Sequence, residues 1–463
     1  MAVEFGRLKN LINGEWKDSQ SDDIWEIRNP ALDEVIGEVP MSTGEEVAEA
    51  VQSARDAFAE WRTTPPVSRA RYILRLVELL EENFEELSIV QTKEHGKTID
   101  ESDIASGIDE YIVREPLGVF ACIPPFNFPF MVPLWFLPYA VATGNTFIIK
   151  PSPSDPISQV KLHELLDEAG IPPGVINLVH GGADVANMLM ESDDIKGITF
   201  VGSTPVAKLI YQKCGETGKR VIAQGGAKNF LVIMPDCDLK ETIPSLMTSF
   251  YGNSGQRCLS GANAVIVGKD DAFYKKFVDA FVEAASRIKV GNGLEEEIQM
   301  GPLQSRDKKE RVLGYIEKGI AEGAKLLLDG RQPKIEGDYP PTCFLNPSVF
   351  ESVTPDMTIG KEEIFGPVAS IMRADNMDRA IEMIHSIPFG NAASIFTMNG
   401  GWAREFEYRV QTGNIGINIG IVAPMAFFPF SGMKDSFFGI LHGQGKDAVR
   451  FFTESKVVIK RWF

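Results

Sequence analysis

From Thr43 onward, Val47, Ala50, Val51, Ala54, Phe58 and Trp61 recur three or four positions apart. That is the period of a helix with one apolar stripe, and Thr43 with Glu46 has the form of a capping box at its start. A second helical period runs from 67 to 87, acidic on its outer face, and reads as scaffold. Mid-chain the period switches back and forth. Residues 146–150 form a short apolar run of the kind a buried strand needs, 158–169 a helix, and 175–179 a strand; then 183–190 is helical, 197–201 strand-like, 204–214 helical, and 229–234 a strand again. This alternation predicts a parallel sheet with helices on both faces. Beyond Cys258, helices over 271–288 and 305–322 flank a turn at Gly291-Asn-Gly293, which makes a second α/β region with its boundary near Gly225-Gly226. Residues 456–460 alternate as an exposed strand in want of a partner.

One stretch departs from both periods. Residues 118–149 are almost wholly apolar and long enough to span a bilayer, yet Pro124, Pro125, Pro129, Pro133 and Pro138 would leave backbone groups that lipid cannot satisfy. A membrane role is therefore not expected. Composition narrows the classes further. With 463 residues, 44% hydrophobic and 24% charged, the chain predicts a globular protein of two or three domains. The net charge of −18 argues against nucleic acid and anionic membranes as partners, since both require clustered cations. Five scattered cysteines without a Cys-x-x-Cys pair suggest neither a disulfide framework nor a zinc site, and no metal is expected. The first ten residues lack an apolar segment with a small-residue cleavage site, so a cytoplasmic location is expected.

Candidate chemistry centres on Cys258. It lies between a glycine-loosened polar segment and a strand-like run, with Gly252 and Gly255 allowing close approach and Arg257 adding positive charge that favours the thiolate. A buried inert cysteine is the plainer alternative at this point. Phe200-Val-Gly202-Ser203 closes a strand and opens a helix whose N-terminus suits a phosphate, with Ser203 as cap and Pro205 in the first turn. Lys150 and Ser152 follow another strand at its C-terminal end, where open α/β sheets bind nucleotides.

Pro124-Pro-Phe-Asn127-Phe-Pro129, Lys150-Pro-Ser152, Phe200-Val-Gly-Ser203, Gly255-Gln-Arg-Cys258 and Glu362-Glu363-Ile-Phe365-Gly-Pro367 stand in the order seen in aldehyde dehydrogenases. The chain resembles that family from Ile12-Asn-Gly-Glu-Trp16 to Phe451-Phe-Thr453, most closely its CoA-acylating methylmalonate-semialdehyde (malonate-semialdehyde) branch, to which Gly225-Gly-Ala-Lys-Asn229 and Pro424–Gly432 point. The resemblance implies an α/β fold with a Rossmann-type cofactor domain (1–107 and 125–227), an α/β catalytic domain (228–440), and a small β oligomerisation arm (108–124 and 446–463).

It also implies roles. Cys258 would attack the aldehyde, the amide of Asn127 and the N–H of Cys258 would hold the oxyanion, and hydride would pass to NAD. Glu363 would bind the nicotinamide ribose, Lys150 the adenosine ribose, and Ser203 the pyrophosphate, with Ser152, Phe200, Gly202, Gly225 and Phe365 also binding the cofactor. Arg257 would pair with a substrate carboxylate. Hydrolytic members carry a glutamate beside the Gly-Gly turn to activate water; here Gln224 stands there, which fits coenzyme A as acyl acceptor. The expected products are propanoyl-CoA or acetyl-CoA, in valine or inositol breakdown, from a homodimer or homotetramer. Hydrolytic oxidation of another aldehyde, or an inactive assembly subunit, are the alternatives.

Two departures stand out. Between Gly96-Lys-Thr98 and the strand leading to Arg114 the connection is shorter than in the family by about 30 residues, more than two average helices. Pro153 replaces the glutamate that often follows Lys-Pro-Ser to accept the ribose 2′-OH, which leaves NADP as the alternative to NAD.

Overall fold

The computed structural model describes residues 4–95 and 109–462. The motif Gly96-Lys97-Thr98 and the start of the arm at Ile108 lie outside these. The chain divides into two compact units, Met1–Tyr111 with Val458–Phe463, and Ile112–Val457.

In the first unit, strands Asn10–Ile12 and Glu15–Lys17 pair through a turn with Asn13 and Gly14 at φ 52° and 77°, the doubly left-handed geometry that Asn-Gly accepts at low cost. Strands Ile24–Asn29 and Glu34–Pro40 form a second antiparallel pair. The capping box forms as expected: Thr43 accepts from the Glu46 N–H and the Glu46 carboxylate accepts from the Thr43 N–H, opening helix Gly44–Trp61. Its apolar stripe is not covered, for Val47, Val51, Phe58 and Trp61 stay exposed, with Trp61 meeting the ring of Tyr72 at 5.8 Å. The helical period read as running on to Leu87 is interrupted. Helix Pro66–Glu82 ends at Asn83, which leaves helical geometry at φ −111° and ψ 14° and whose side-chain amide donates to the carbonyl of Leu79 at 2.7 Å, the local competition that asparagine offers a helix. A new helix, Phe84–His95, starts at once and keeps the hydrophobic spacing.

The second unit carries two parallel sheets. The first, in spatial order, is Phe437–Gly439, Arg220–Gln224, Ile195–Val201, Val119–Ile123, Thr146–Ile149, Ile176–Leu178, parallel except for the antiparallel edge strand Phe437–Gly439. The chain lays its strands outward to one side of Val119–Ile123 and then returns to lay the others on the opposite side. Val119–Ile123 and Ile195–Val201 therefore flank a topological switch point, and an open cleft is expected beyond their carboxyl ends. The second sheet runs Lys325–Leu328, Ser348–Glu351, Val368–Ala374, Gly261–Val267, Asn229–Ile233, Ala392–Phe396, Asn414–Ile417, parallel but for Lys325–Leu328. Residues 225–228 carry the backbone from one sheet to the other.

The prolines of the long apolar stretch punctuate short elements: Pro124 follows strand Val119–Ile123, Pro133 opens the single turn Pro133–Trp135, and Pro138 stands in the first turn of helix Leu137–Ala142. Phe120, Phe136 and Phe147 there are fully buried together with Phe452. Among the described residues no helix is long and apolar enough to cross a membrane. Strand Thr453–Lys460, the alternating C-terminal run, finds its partner in Asp109–Pro116.

Candidate active site

The expected cleft is present. It encloses about 480 Å³ and is built from the carboxyl ends of four strands of the first sheet: Ile123 and Pro124 from one, Lys150 and Ser152 from the next, Phe200 to Ser203 from the third, and Gly225 from the fourth. The second sheet contributes Cys258, Glu363 and Phe365, and Asn127 lines the same space. Of the residues singled out from the sequence, only Arg257 is not on this wall; it lines a neighbouring cavity of about 20 Å³ that touches Cys258, Lys228 and Glu363.

Cys258 follows an unusual backbone. Asn253, Ser254 and Gly255 have φ of 53°, 54° and 70° in succession, a left-handed run that costs about 1–3 kcal/mol for each non-glycine residue and must be held by its surroundings. The holding bonds are visible. Ser254 Oγ donates to the carbonyl of Gly301 at 2.6 Å, and Asn253 Nδ2 donates to Asn127 O at 3.3 Å and Gln256 O at 3.2 Å. A Cβ on Gly255 would fall on the carbonyl of Gly366, so the glycine is required twice over, by conformation and by space. Beyond the turn, the carbonyl of Cys258 accepts from Asn229 Nδ2 and Asn391 Nδ2, both at 2.8 Å, and Asn229 also donates to Ser260 O at 2.8 Å. Two amides thus clamp the peptide that carries the sulfur.

Charge at the sulfur is decided by burial. Desolvation pushes the Cys258 thiol up to about 12, Glu363 adds to the rise, and the N–H groups of Cys258 and Leu259 and then Arg257 pull the other way less strongly. The expectation that Arg257 favours the thiolate holds in sign, but desolvation outweighs it. Arg257 is itself pulled down by burial, its guanidinium packs over Gly252 where a Cβ would come within 3.0 Å of Cζ, and its Nε has no partner.

Asn127 Nδ2 donates to Gln256 O at 2.8 Å, which spends one amide hydrogen and leaves the other free on the cleft wall that Cys258 also lines. Glu363 Oε1 accepts from the Ala227 N–H at 2.9 Å, and its main-chain carbonyl accepts from Arg311 Nη2 at 2.8 Å. Burial raises its carboxyl. A Cβ on Gly226 would come within 2.7 Å of Glu363 Oε2, so the second glycine of the Gly-Gly turn makes room for this carboxylate. Phe365 sits at φ 59° and meets Phe126 edge-on at 5.8 Å.

The nucleotide end of the cleft is equally specific. Lys150 is buried and its Nζ donates to Pro151 O and Gly181 O, both at 2.9 Å; a third donor remains for a ligand in the cleft. Ser152 Oγ accepts from the Ser154 N–H at 3.2 Å. Ser203 occupies the cap position of helix Thr204–Glu216 but makes no capping bond with its side chain, so its hydroxyl and the first N–H groups of the helix stand available to an anion. Gly202 lies under the ring of Phe200, which a Cβ would strike. These features fit a dinucleotide: donors at a helix start, a lysine at a strand end, and glycines where backbone must come close.

Several contributors were not foreseen. Thr204 Oγ1 accepts from the Gly226 N–H at 2.8 Å and donates to Asp435 O at 3.0 Å, pinning the crossover. Asn391 and Arg311 carried no motif, although an amide inside the run Gly390-Asn-Ala-Ala was a visible anomaly. Lys228 is buried with its Nζ unpartnered, and burial pushes it down to about 7 against the pull of Glu363 and Glu362. Gln224 points away from the cleft, with Nε2 donating to Phe430 O at 3.2 Å.

Comparison with known proteins agrees with this geometry. The sequence profile of the aldehyde dehydrogenase family matches residues 16–108 and 102–458, and the break between the two matches falls where the connection after Gly96-Lys97-Thr98 is short. Malonate-semialdehyde dehydrogenase 1 of Geobacillus kaustophilus is 44% identical over 482 positions, covering 98% of each chain. For the malonate-semialdehyde dehydrogenase of Bacillus cytotoxicus, 42% identical and covered in full, the aligned span of 492 positions exceeds the 463 residues of this chain. Among solved structures, the methylmalonate-semialdehyde dehydrogenase of Oceanimonas doudoroffii superposes with a TM-score of 0.76 at 38% identity, covering 99% of each chain. The protein assigned to the same activity in Sinorhizobium meliloti 1021, complexed with NAD, superposes with a TM-score of 0.75 at 37% identity, covering 100% of this chain and 98% of that one. With Cys258 on the wall of the cleft, a profile match over most of its length and relatives above 40% identity, the chain belongs to the aldehyde dehydrogenase family.

Proposed function

We propose that this protein oxidises malonate semialdehyde or methylmalonate semialdehyde with NAD and transfers the acyl group to coenzyme A, releasing acetyl-CoA or propanoyl-CoA. The observation that carries the choice of acceptor is the cleft's acid inventory: among the described residues Glu363 is the one carboxyl on its wall, and it is engaged by the Ala227 N–H. Gln224, where a base for water would stand, is turned to Phe430. An acyl group on Cys258 then meets no base able to activate water, and a thiol becomes the better acceptor.

In this reading Cys258 Sγ, as thiolate, bonds to the carbonyl carbon and the carbonyl oxygen takes the electron pair. The second hydrogen of Asn127 Nδ2 and the N–H of Cys258 stabilise that oxygen. Bound NAD supplies the hydride acceptor. The oxyanion re-forms its carbonyl as hydride leaves for NAD. The substrate carboxylate, held by Arg257, then leaves as carbon dioxide and the α-carbon takes a proton from water. The sulfur of coenzyme A bonds to the acyl carbon as the bond to Cys258 Sγ breaks, and Cys258 returns as thiolate. Lys150, Ser152 and Ser203 orient the dinucleotide and Glu363 its nicotinamide ribose; NADP is the alternative. We further assign the cofactor domain to 1–107 and 125–227, the catalytic domain to 228–440, and the arm to 108–124 and 446–463, and expect a homodimer or homotetramer joined through that arm, in valine or inositol breakdown. A cytoplasmic location agrees with the reaction.

The test is NADH formation from malonate semialdehyde with and without coenzyme A, with product analysis. Turnover that requires coenzyme A and yields acetyl-CoA supports the proposal. Sustained turnover to free acid without it would overturn the acylating assignment.

A further inference from the structure

Lys228 takes part in no step of the proposed reaction, and its setting is unusual for a lysine. It is 3% exposed, and its Nζ is buried without a partner among the described residues. The chain holds it there from both sides, for the Ala227 N–H donates to Glu363 Oε1 and Asn229 Nδ2 donates to the carbonyl of Cys258. Burial of an ammonium disfavours its charge, and the amine is pushed down to about 7 against the pull of Glu363 and Glu362. Near neutrality much of it is therefore free base, which makes it a nucleophile where an ordinary lysine is not.

Lys228 lines the cavity of about 20 Å³ that also touches Arg257, Cys258, Ser260 and Glu363. Two more residues of that wall carry a buried polar atom without a partner, Arg257 at Nε and Ser260 at Oγ. Arg257 also forms no ion pair among the described residues, and burial pulls it down. Three unsatisfied polar groups around one small space are more than a folded interior ordinarily leaves. An anion formed inside that space would answer two of them and balance the guanidinium. The volume admits only a ligand of a few atoms. Cys258, Glu363 and Phe365 lie on the walls of both this cavity and the catalytic cleft, so the two spaces adjoin.

We propose that Lys228 is a site of reversible modification by carbon dioxide, with the resulting carbamate held by Arg257 and Ser260. The lone pair of Nζ bonds to the carbon, one carbon–oxygen π pair moves onto oxygen, and the proton of the amine leaves to water. A neutral amine thereby becomes an anion beside Arg257. Glu363 on the same wall opposes the new charge, but burial raises its carboxyl towards the neutral form and so weakens that opposition. One consequence rests on the function proposed above: by occupying Arg257 the carbamate would compete with the substrate carboxylate, and the carbon dioxide released in the reaction would restrain it.

The test is 13C NMR of the full chain, labelled with 15N in its lysine side chains and equilibrated with 13C-bicarbonate at about pH 7.5, where Lys228 is mostly free base and ordinary lysines are not. It needs neither aldehyde nor coenzyme A, so failure of the proposed reaction leaves it untouched. The expected result is one carbamate carbon per chain split by a lysine nitrogen, lost in Lys228→Met and at least tenfold weaker in Arg257→Gln. Where Lys228→Met fails to fold, Arg257→Gln decides. No carbon split by nitrogen, as when water alone fills the cavity, a split carbon that persists in folded Lys228→Met, or one unchanged in Arg257→Gln overturns the proposal.

Discussion

At the residue scale the decisive balance is at Cys258. Burial and Glu363 favour the thiol, while two N–H groups and Arg257 favour the thiolate, and the first pair wins, with the thiol at about 12. Alkylation of the NAD-free protein by iodoacetamide should therefore accelerate about tenfold per pH unit across the neutral range without levelling; a plateau near neutrality would show a thiolate already formed. The clamp on the same residue is testable by stability. Asn229→Ala removes two donors and one acceptor from buried partners, at a cost of about 1–3 kcal/mol for each group left unsatisfied. Asn391→Ala, which leaves the Asn229 bond to the Cys258 carbonyl in place, should cost about 1 kcal/mol by urea unfolding. Lys228 yields a pH signature. Its folded value is about 7 against an ordinary 10.5, so between those limits the unfolded chain binds a proton that the folded one does not, and this group makes stability rise with pH over that window. Lys228→Met should flatten the rise, and an unchanged pH profile of urea midpoints would count against the buried amine.

At the scale of elements, Lys150, Ser152, Ser203 and Gly225 each stand where a strand ends or a helix begins, whereas Glu363 and Phe365 lie in the loop between helix Thr358–Lys361 and strand Val368–Ala374. The motifs around Lys150, Ser203 and Gly225 were legible because strand ends and helix caps have local signatures, and the βα alternation placed them on one edge of a sheet. The left-handed run was not legible: Asn253 and Ser254 look like any loop pair, and their conformation is held, besides the neighbouring Gln256, by Gly301 and Asn127, far away in sequence. Asn391 and Thr204 escaped for the same reason, since their partners come from other elements, and Lys228 because its burial is set by the surrounding fold. Helix ends were misjudged where a single side chain intervened, as at Asn83. Gly255→Ala probes the turn directly. With φ at 70° and Gly366 in the way, the variant should lose most of its activity and melt well below the wild type; normal turnover would mean that the turn tolerates rearrangement.

At the scale of the whole molecule, the two parallel sheets of the unit Ile112–Val457 supply different halves of the proposed reaction. The first offers donors for a dinucleotide at its switch point, and the second brings a nucleophile up to them on a strained turn, joined by the crossover at 225–228. Asn127, reaching from the first sheet over the turn that carries Cys258, links the halves. Asn127→Ala should lower kcat by roughly 100- to 1,000-fold, the usual cost of an oxyanion donor, with KM less affected; a change confined to KM would assign it to substrate binding alone. Membership of the family was legible from motif order, and the short connection after Thr98 from the spacing, whereas the acyl acceptor rests on what the cleft lacks beside Gln224.

The central claim is that Cys258 carries an acyl group that water leaves alone and coenzyme A removes. Its most direct test mixes the protein with NAD and malonate semialdehyde but no coenzyme A, and weighs the Cys258 peptide. The expected result is a burst of one NADH per active site, an acyl adduct on Cys258, and its discharge as acetyl-CoA when coenzyme A is added. Continued NADH formation to free acid without coenzyme A, or a burst with no adduct on Cys258, would contradict it.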